Sequence, residues 1–148
     1  RAWWGRGGNS FRSLCRRCSG LVGLSDMMQV VTDGQGKELF AMQLVSYLDS
    51  LRPSKRRGKV EVPVAIVFTK ADLYDRSIPD PGGFAAANAP GLWRLCESRL
   101  KHFQFYCSGV AGSTGKLIDR DGEVSLVPLR VEPRGIIEPF AWLLSQIH

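Results

Sequence analysis

Long apolar runs are missing from this 148-residue chain. The longest, Pro63 to Phe68 and Gly135 to Leu144, fall well short of the roughly 20 residues a bilayer-spanning helix needs. Arg1-Ala2-Trp3-Trp4-Gly5 opens no sustained apolar core, so the expectation is a cytoplasmic protein without a secretory leader or membrane span. Cysteine is scarce as well. Cys15, Cys18, Cys96 and Cys107 are too few and too scattered for a disulfide framework, and reduced thiols are expected. Cys15 and Cys18 form a C-x-x-C without a second pair at zinc-ribbon spacing or a preceding thioredoxin-like strand, so no metal ligand is assigned and a core-facing helix is expected. The two histidines, His102 and His148, have no partner at a useful spacing and receive no role. No catalytic residue is assigned anywhere.

What is present points to one soluble-type domain. The apolar share of 44% and charged share of 23% are ordinary for a globular core, which sets disorder aside. The net charge of +6 draws heavily on Arg52, Lys55, Arg56, Arg57 and Lys59, with Arg12, Arg16 and Arg17 elsewhere. No aromatics interleave with that run. A solvated loop is expected there; phosphate-backbone binding remains a third functional reading that would demand strong salt dependence, so nucleic acid is not the expected partner.

Helical and strand patterns alternate, which argues for an α/β fold with a parallel sheet. Residues 1–10 read as an irregular lead-in. Phe11 to Cys18 is helical, Leu21 to Leu24 a short strand, and the stretch from Gly34–Lys37 to Leu51 an amphipathic helix stopped by Pro53. Val62 to Phe68 is a near-continuous apolar run of the kind found in central parallel strands. A loop is expected from Asp75 to Pro90, a helix from Gly91 to Phe103, and a third strand over Phe103–Cys107. Lys116 to Val131 carries an Asp121-Gly122 turn between β-prone flanks and reads as a hairpin insertion. Ile136 to Ile147 closes the chain as a helix with Pro139 in its first turn and an apolar face of Ile136, Ile137, Phe140, Leu143, Leu144 and Ile147.

The chemistry-bearing string is Thr69-Lys70-Ala71-Asp72. A strand ending in these residues presents them at the carboxyl edge of a parallel sheet, where open α/β folds bind ligands. A carboxylate accepts two hydrogen bonds in a fork, which suits the adjacent imino and amino donors of guanine and finds no such pair on adenine. Asp72 would read the base, Lys70 would lay its alkyl stem on the purine, and Thr69 would tie the loop to a neighbouring strand.

Val64 to Leu73 resembles the base-specificity segment of Ras-like and translation-factor GTPases, with Thr69 where Asn is usual. The resemblance implies a second base contact one helix later: Ser108 bracing a loop and the Gly109 amide meeting the guanine oxygen. Pro133 to Leu144, and Cys15 to Val22, resemble parts of the bacterial double-GTPase domains. The implied fold is three-layer α/β, a partial parallel sheet of a P-loop GTPase-like domain over residues 11–148, with residues 116–131 as a small hairpin insertion. GTP or GDP is the implied nucleotide.

The phosphate machinery is what the sequence does not contain. A P-loop needs a glycine-rich turn followed by Lys and Ser/Thr. In Gly109 to Leu117, Val110 stands at the first glycine position and Leu117 where the magnesium-binding hydroxyl belongs, so a flexible loop is expected. Asp33-Gly34 and Asp121-Gly122 have the wrong spacing for the magnesium-side motif. The expectation is therefore the base-recognition half of a GTPase-like domain, with magnesium and hydrolysis depending on a missing N-terminal half. The alternative is a degenerate module for protein interaction. In both, a missing N-terminal half or a partner protein is expected at the apolar sheet edge formed by Leu21 to Leu24.

Overall fold

The computed structural model describes residues 18–32, 42–44, 47, 58–74 and 78–147. Three parallel strands form the central sheet: β1 (Leu21–Asp26), β2 (Val64–Thr69) and β3 (Phe103–Cys107), in the order β1-β2-β3. Apart from Ala65, β2 consists of β-branched and aromatic residues, and Val64 through Phe68 are all buried, as a strand covered on both faces requires. Leu21 stands beside Val64 and Asp26 beside Thr69, while Val64 to Phe68 pair with Phe103 to Cys107. The carboxyl ends of all three strands therefore finish level.

Alternation along β2 sends Val64, Ile66 and Phe68 to one face. There they join Met27 and Val30 of α1 (Met27–Thr32), Ala85 of α2 (Pro81–Asn88), Leu92 and Cys96 of α3 (Pro90–Arg99), and Phe105 of β3. Phe68 is the hub: its ring stacks on Phe105 at 5.8 Å and meets Phe84 edge-on at 5.2 Å. Tyr106, one residue along β3 from Phe105, points the other way and meets Trp142 of α4 (Glu138–Ile147) at 6.4 Å. The molecule is thus mixed α/β, with α4 against the opposite face of the parallel sheet. No helix among the described residues is long and apolar enough to cross a membrane.

Three expectations need correction. The stretch expected as a loop from Asp75 to Pro90 contains α2, because Asp80 caps it by accepting the Gly83 N–H at 2.9 Å and Pro81 sits at the first helical position. The segment expected as a flexible loop before a hairpin is itself strand: β4 (Gly109–Ile118) pairs antiparallel with β5 (Val124–Arg134), so the hairpin spans 109–134 instead of 116–131. Its Asp-Gly turn forms as expected, with Asp119 accepting the Asp121 and Glu123 amides at 2.9 Å each and Gly122 at φ +81°.

The third correction concerns α4. Of the apolar face expected there only Leu143 is buried, beside Pro139; Ile136, Ile137, Phe140, Leu144 and Ile147 are exposed. Trp142 and Leu143 take the inner face because they meet Tyr106 and Gly20. Residues 11–17 of the helix expected over 11–18, the basic run from Arg52 to Arg57 and most of the helix ending at Leu51 lie outside the described residues; Cys18 is described and is not helical, and Met42–Leu44 and Tyr47 are helical.

Candidate functional site

At the carboxyl edge of the sheet β2 ends in Thr69, and the chain must turn sharply away. Lys70 makes that turn in the left-handed region, with φ 58° and ψ 31°, the one non-glycine residue with positive φ among those described. A single 3₁₀ turn over Ala71–Leu73 follows, closed by the Leu73 N–H to the Lys70 carbonyl at 3.1 Å. This geometry separates three side chains that are almost adjacent in sequence.

Thr69 donates its hydroxyl to the Ser25 carbonyl of β1 at 3.3 Å, the cross-strand tie expected of it. Lys70 turns towards the end of β1, where its Nζ donates to Asp26 Oδ2 at 2.6 Å. Asp26, at the end of β1, also accepts the Met28 N–H on Oδ1 at 3.0 Å. The Lys70 hydrogen bond, ahead of the Met28 amide and the lysine's charge, holds the Asp26 carboxyl below its ordinary range against the opposing effect of burial.

Asp72 faces the start of the hairpin. Its Oδ2 accepts the Ala111 N–H at 3.0 Å, and the carboxylate lies so close to Gly109 that a Cβ there would sit 2.7 Å from Oδ1. Ser108 braces the turn through its backbone: its N–H donates to the Phe68 carbonyl at 2.8 Å and its carbonyl accepts the Ala71 N–H at 2.9 Å. The structure therefore brings Asp72, Ser108 and Gly109 together and sends Thr69 and Lys70 towards β1.

Beside Asp72 opens a cavity of about 180 Å³, lined by Asp72, Ile78, Gly109, Ala111, Glu132 and Arg134 among others. The volume is below the roughly 300–1,000 Å³ of whole small-ligand pockets and suits a ring-sized group. Glu132 and Arg134 come from the end of β5, and Arg134 Nη2 donates to Glu132 Oε1 at 2.8 Å. Cys107 also reaches this cavity, but burial pushes its thiol up to about 11, so it is no thiolate nucleophile at neutral pH. No group of three or more His, Cys, Asp or Glu able to hold a metal occurs among the described residues. The cavity wall thus carries two carboxylates, Asp72 and Glu132, and one guanidinium, Arg134.

Asp26, Ala111, Glu132 and Arg134 were not expected from sequence. Asp26 was accessible to the rule that parallel strands end at ligand sites, since Ser25-Asp26 follows the apolar run of β1. Glu132 and Arg134 carried no such signal, because nothing local marks how far β5 extends. No family model, curated protein or solved structure matches the chain.

Proposed function

We propose that this edge is the guanine-recognition element of a P-loop GTPase-like domain, with phosphate binding, magnesium and hydrolysis assigned to residues outside this sequence. The observation that carries the reading is the Asp72 carboxylate at the wall of a ring-sized cavity, where the end of β2 meets the start of β4. A forked acceptor at that place fits the paired donors of guanine. The Thr69 tie to β1 and the Ser108 backbone bonds support it, because they fix the turn from which Asp72 projects. The test is a calorimetric titration of the complete protein with guanosine and adenosine diphosphates. Asp72→Ala should weaken the guanine nucleotide roughly 10- to 100-fold and leave the adenine nucleotide unchanged. Unchanged guanine affinity in the variant would sink the assignment.

A second reading, an interaction module without nucleotide, is favoured by one observation: Lys70 and Asp72 both have internal partners, Asp26 and the Ala111 amide. It requires no nucleotide affinity in the complete protein.

A further inference from the structure

Glu132 and Arg134 belong to β5, the strand of the hairpin for which the resemblance implies no base contact, yet they line the same cavity as Asp72. We propose that Arg134, held flat by Glu132, is the stacking wall of the base site, packing its guanidinium on the purine face while Asp72 reads the purine edge. The inference rests on the guanine reading and adds the group that supplies affinity for the ring.

Three observations place Arg134 for this work. Its guanidinium is held by the 2.8 Å bond to Glu132, and Arg130 Nε lies 4.0 Å from the other oxygen of that carboxylate. Glu132 in turn lies over Gly112, where a Cβ would come within 2.6 Å of Oε2, so the glycine makes room for the clamp. The backbone is fixed too: Arg134 pairs with Gly109, the residue against which Asp72 packs, and the next residue, Gly135, has φ +64°. A Cβ at Gly135 would collide with the Cys107 carbonyl oxygen, which locks the exit of β5 onto the end of β3. Lys70, the other cation near the base, is turned to Asp26.

A planar, weakly hydrated guanidinium stacks on aromatic rings of any purine, whereas a carboxylate fork distinguishes among them. The two residues therefore have separable signatures. The experiment is a titration of the full 148-residue chain with GMP and with AMP, followed by two-dimensional amide NMR. The expected results are tighter binding of GMP by the wild type, and loss of that preference in Asp72→Ala. Arg134→Ala should weaken GMP and AMP alike by roughly three- to tenfold, with the preference kept. Arg134→Lys keeps the charge and the fold but lacks the plane, and should behave like Arg134→Ala. Arg120→Ala, at the exposed far turn of the hairpin, should change neither affinity by more than about twofold.

Full affinity in Arg134→Lys would overturn stacking. Unchanged affinities in Arg134→Ala, with the preference still lost in Asp72→Ala, would overturn the role of Arg134 and leave the base reading standing. Failure of the wild-type chain to bind GMP, or equal binding of GMP and AMP, would overturn the base reading itself, and the Arg134 inference with it.

Discussion

Strand β2 and the β4–β5 hairpin are built from similar β-prone residues and have opposite fates. Val64 to Phe68 are buried on both faces of a parallel sheet, while Val110, Leu117, Ile118, Val124, Leu126, Leu129 and Val131 of the hairpin are exposed. β2 is held mainly by what its side chains touch. The hairpin is held by its own backbone ladder, by the Asp119 turn, and by its root, where Asp72 grips Ala111 and Gly135 presses on β3. An isolated two-stranded ribbon is marginal in water, so anchorage at the root decides the hairpin's position. The lesson is that the cavity lies between a rigid half and a tethered half, and its two charged walls answer to different forces.

Substitutions can break that contrast, and their expected effects descend in size. Phe68→Ala removes the ring shared by Phe84 and Phe105 and should cost about 3–5 kcal/mol in thermal or urea unfolding. A loss under about 1 kcal/mol would show that the sheet is not the stable half. Gly135→Ala forces a Cβ into the Cys107 carbonyl at positive φ and should cost about 1–3 kcal/mol, with amide exchange rising across β4 and β5 before β2. Asp72→Ala frees the Ala111 amide at the root and should cost about 1 kcal/mol, with the same pattern of exchange.

Asp26→Asn keeps an acceptor for the Met28 amide but removes the ion pair with Lys70, an exposed pair worth about 0.2–1 kcal/mol. The folded carboxyl is depressed below its ordinary value of 3.8, so its contribution is complete above that value and vanishes as pH falls through the depressed one. The destabilisation by Asp26→Asn should therefore appear at pH 7 and disappear in strong acid, as chemical denaturation at several pH values will register. Leu126→Ser, on the exposed part of the hairpin, should change stability by less than about 0.5 kcal/mol. A larger loss would mean that these apolar residues are covered in solution.

The sequence made the sheet legible where side-chain patterning and strand coincide. Phe103–Cys107 has the bounds expected of it, and the apolar run of β2 contains the observed strand. The helix α2 was hidden because Gly82 and Gly83 stand in its first turn and read as loop, while its start depends on the Asp80 cap. The length of the hairpin was hidden because Gly109, Gly112 and Gly115 weaken the β signal of β4, yet each lies across from a side chain that needs the space: Asp72, Glu132 and Leu129. At the candidate site the strand-end rule found Thr69, Lys70 and Asp72 together. It could not show that the left-handed turn at Lys70 splits them into two groups, because a backbone dihedral leaves no mark in residue type when the residue is lysine.

That turn has an evolutionary consequence. A left-handed backbone conformation favours glycine or asparagine, and a lysine there holds the fold below its attainable stability. Selection for stability alone, as in a display library sorted by protease resistance, should enrich Gly or Asn at position 70 despite loss of the pair with Asp26. Selection that also demands ligand binding should return lysine if the ammonium serves the ligand, and Gly or Asn if it serves only Asp26.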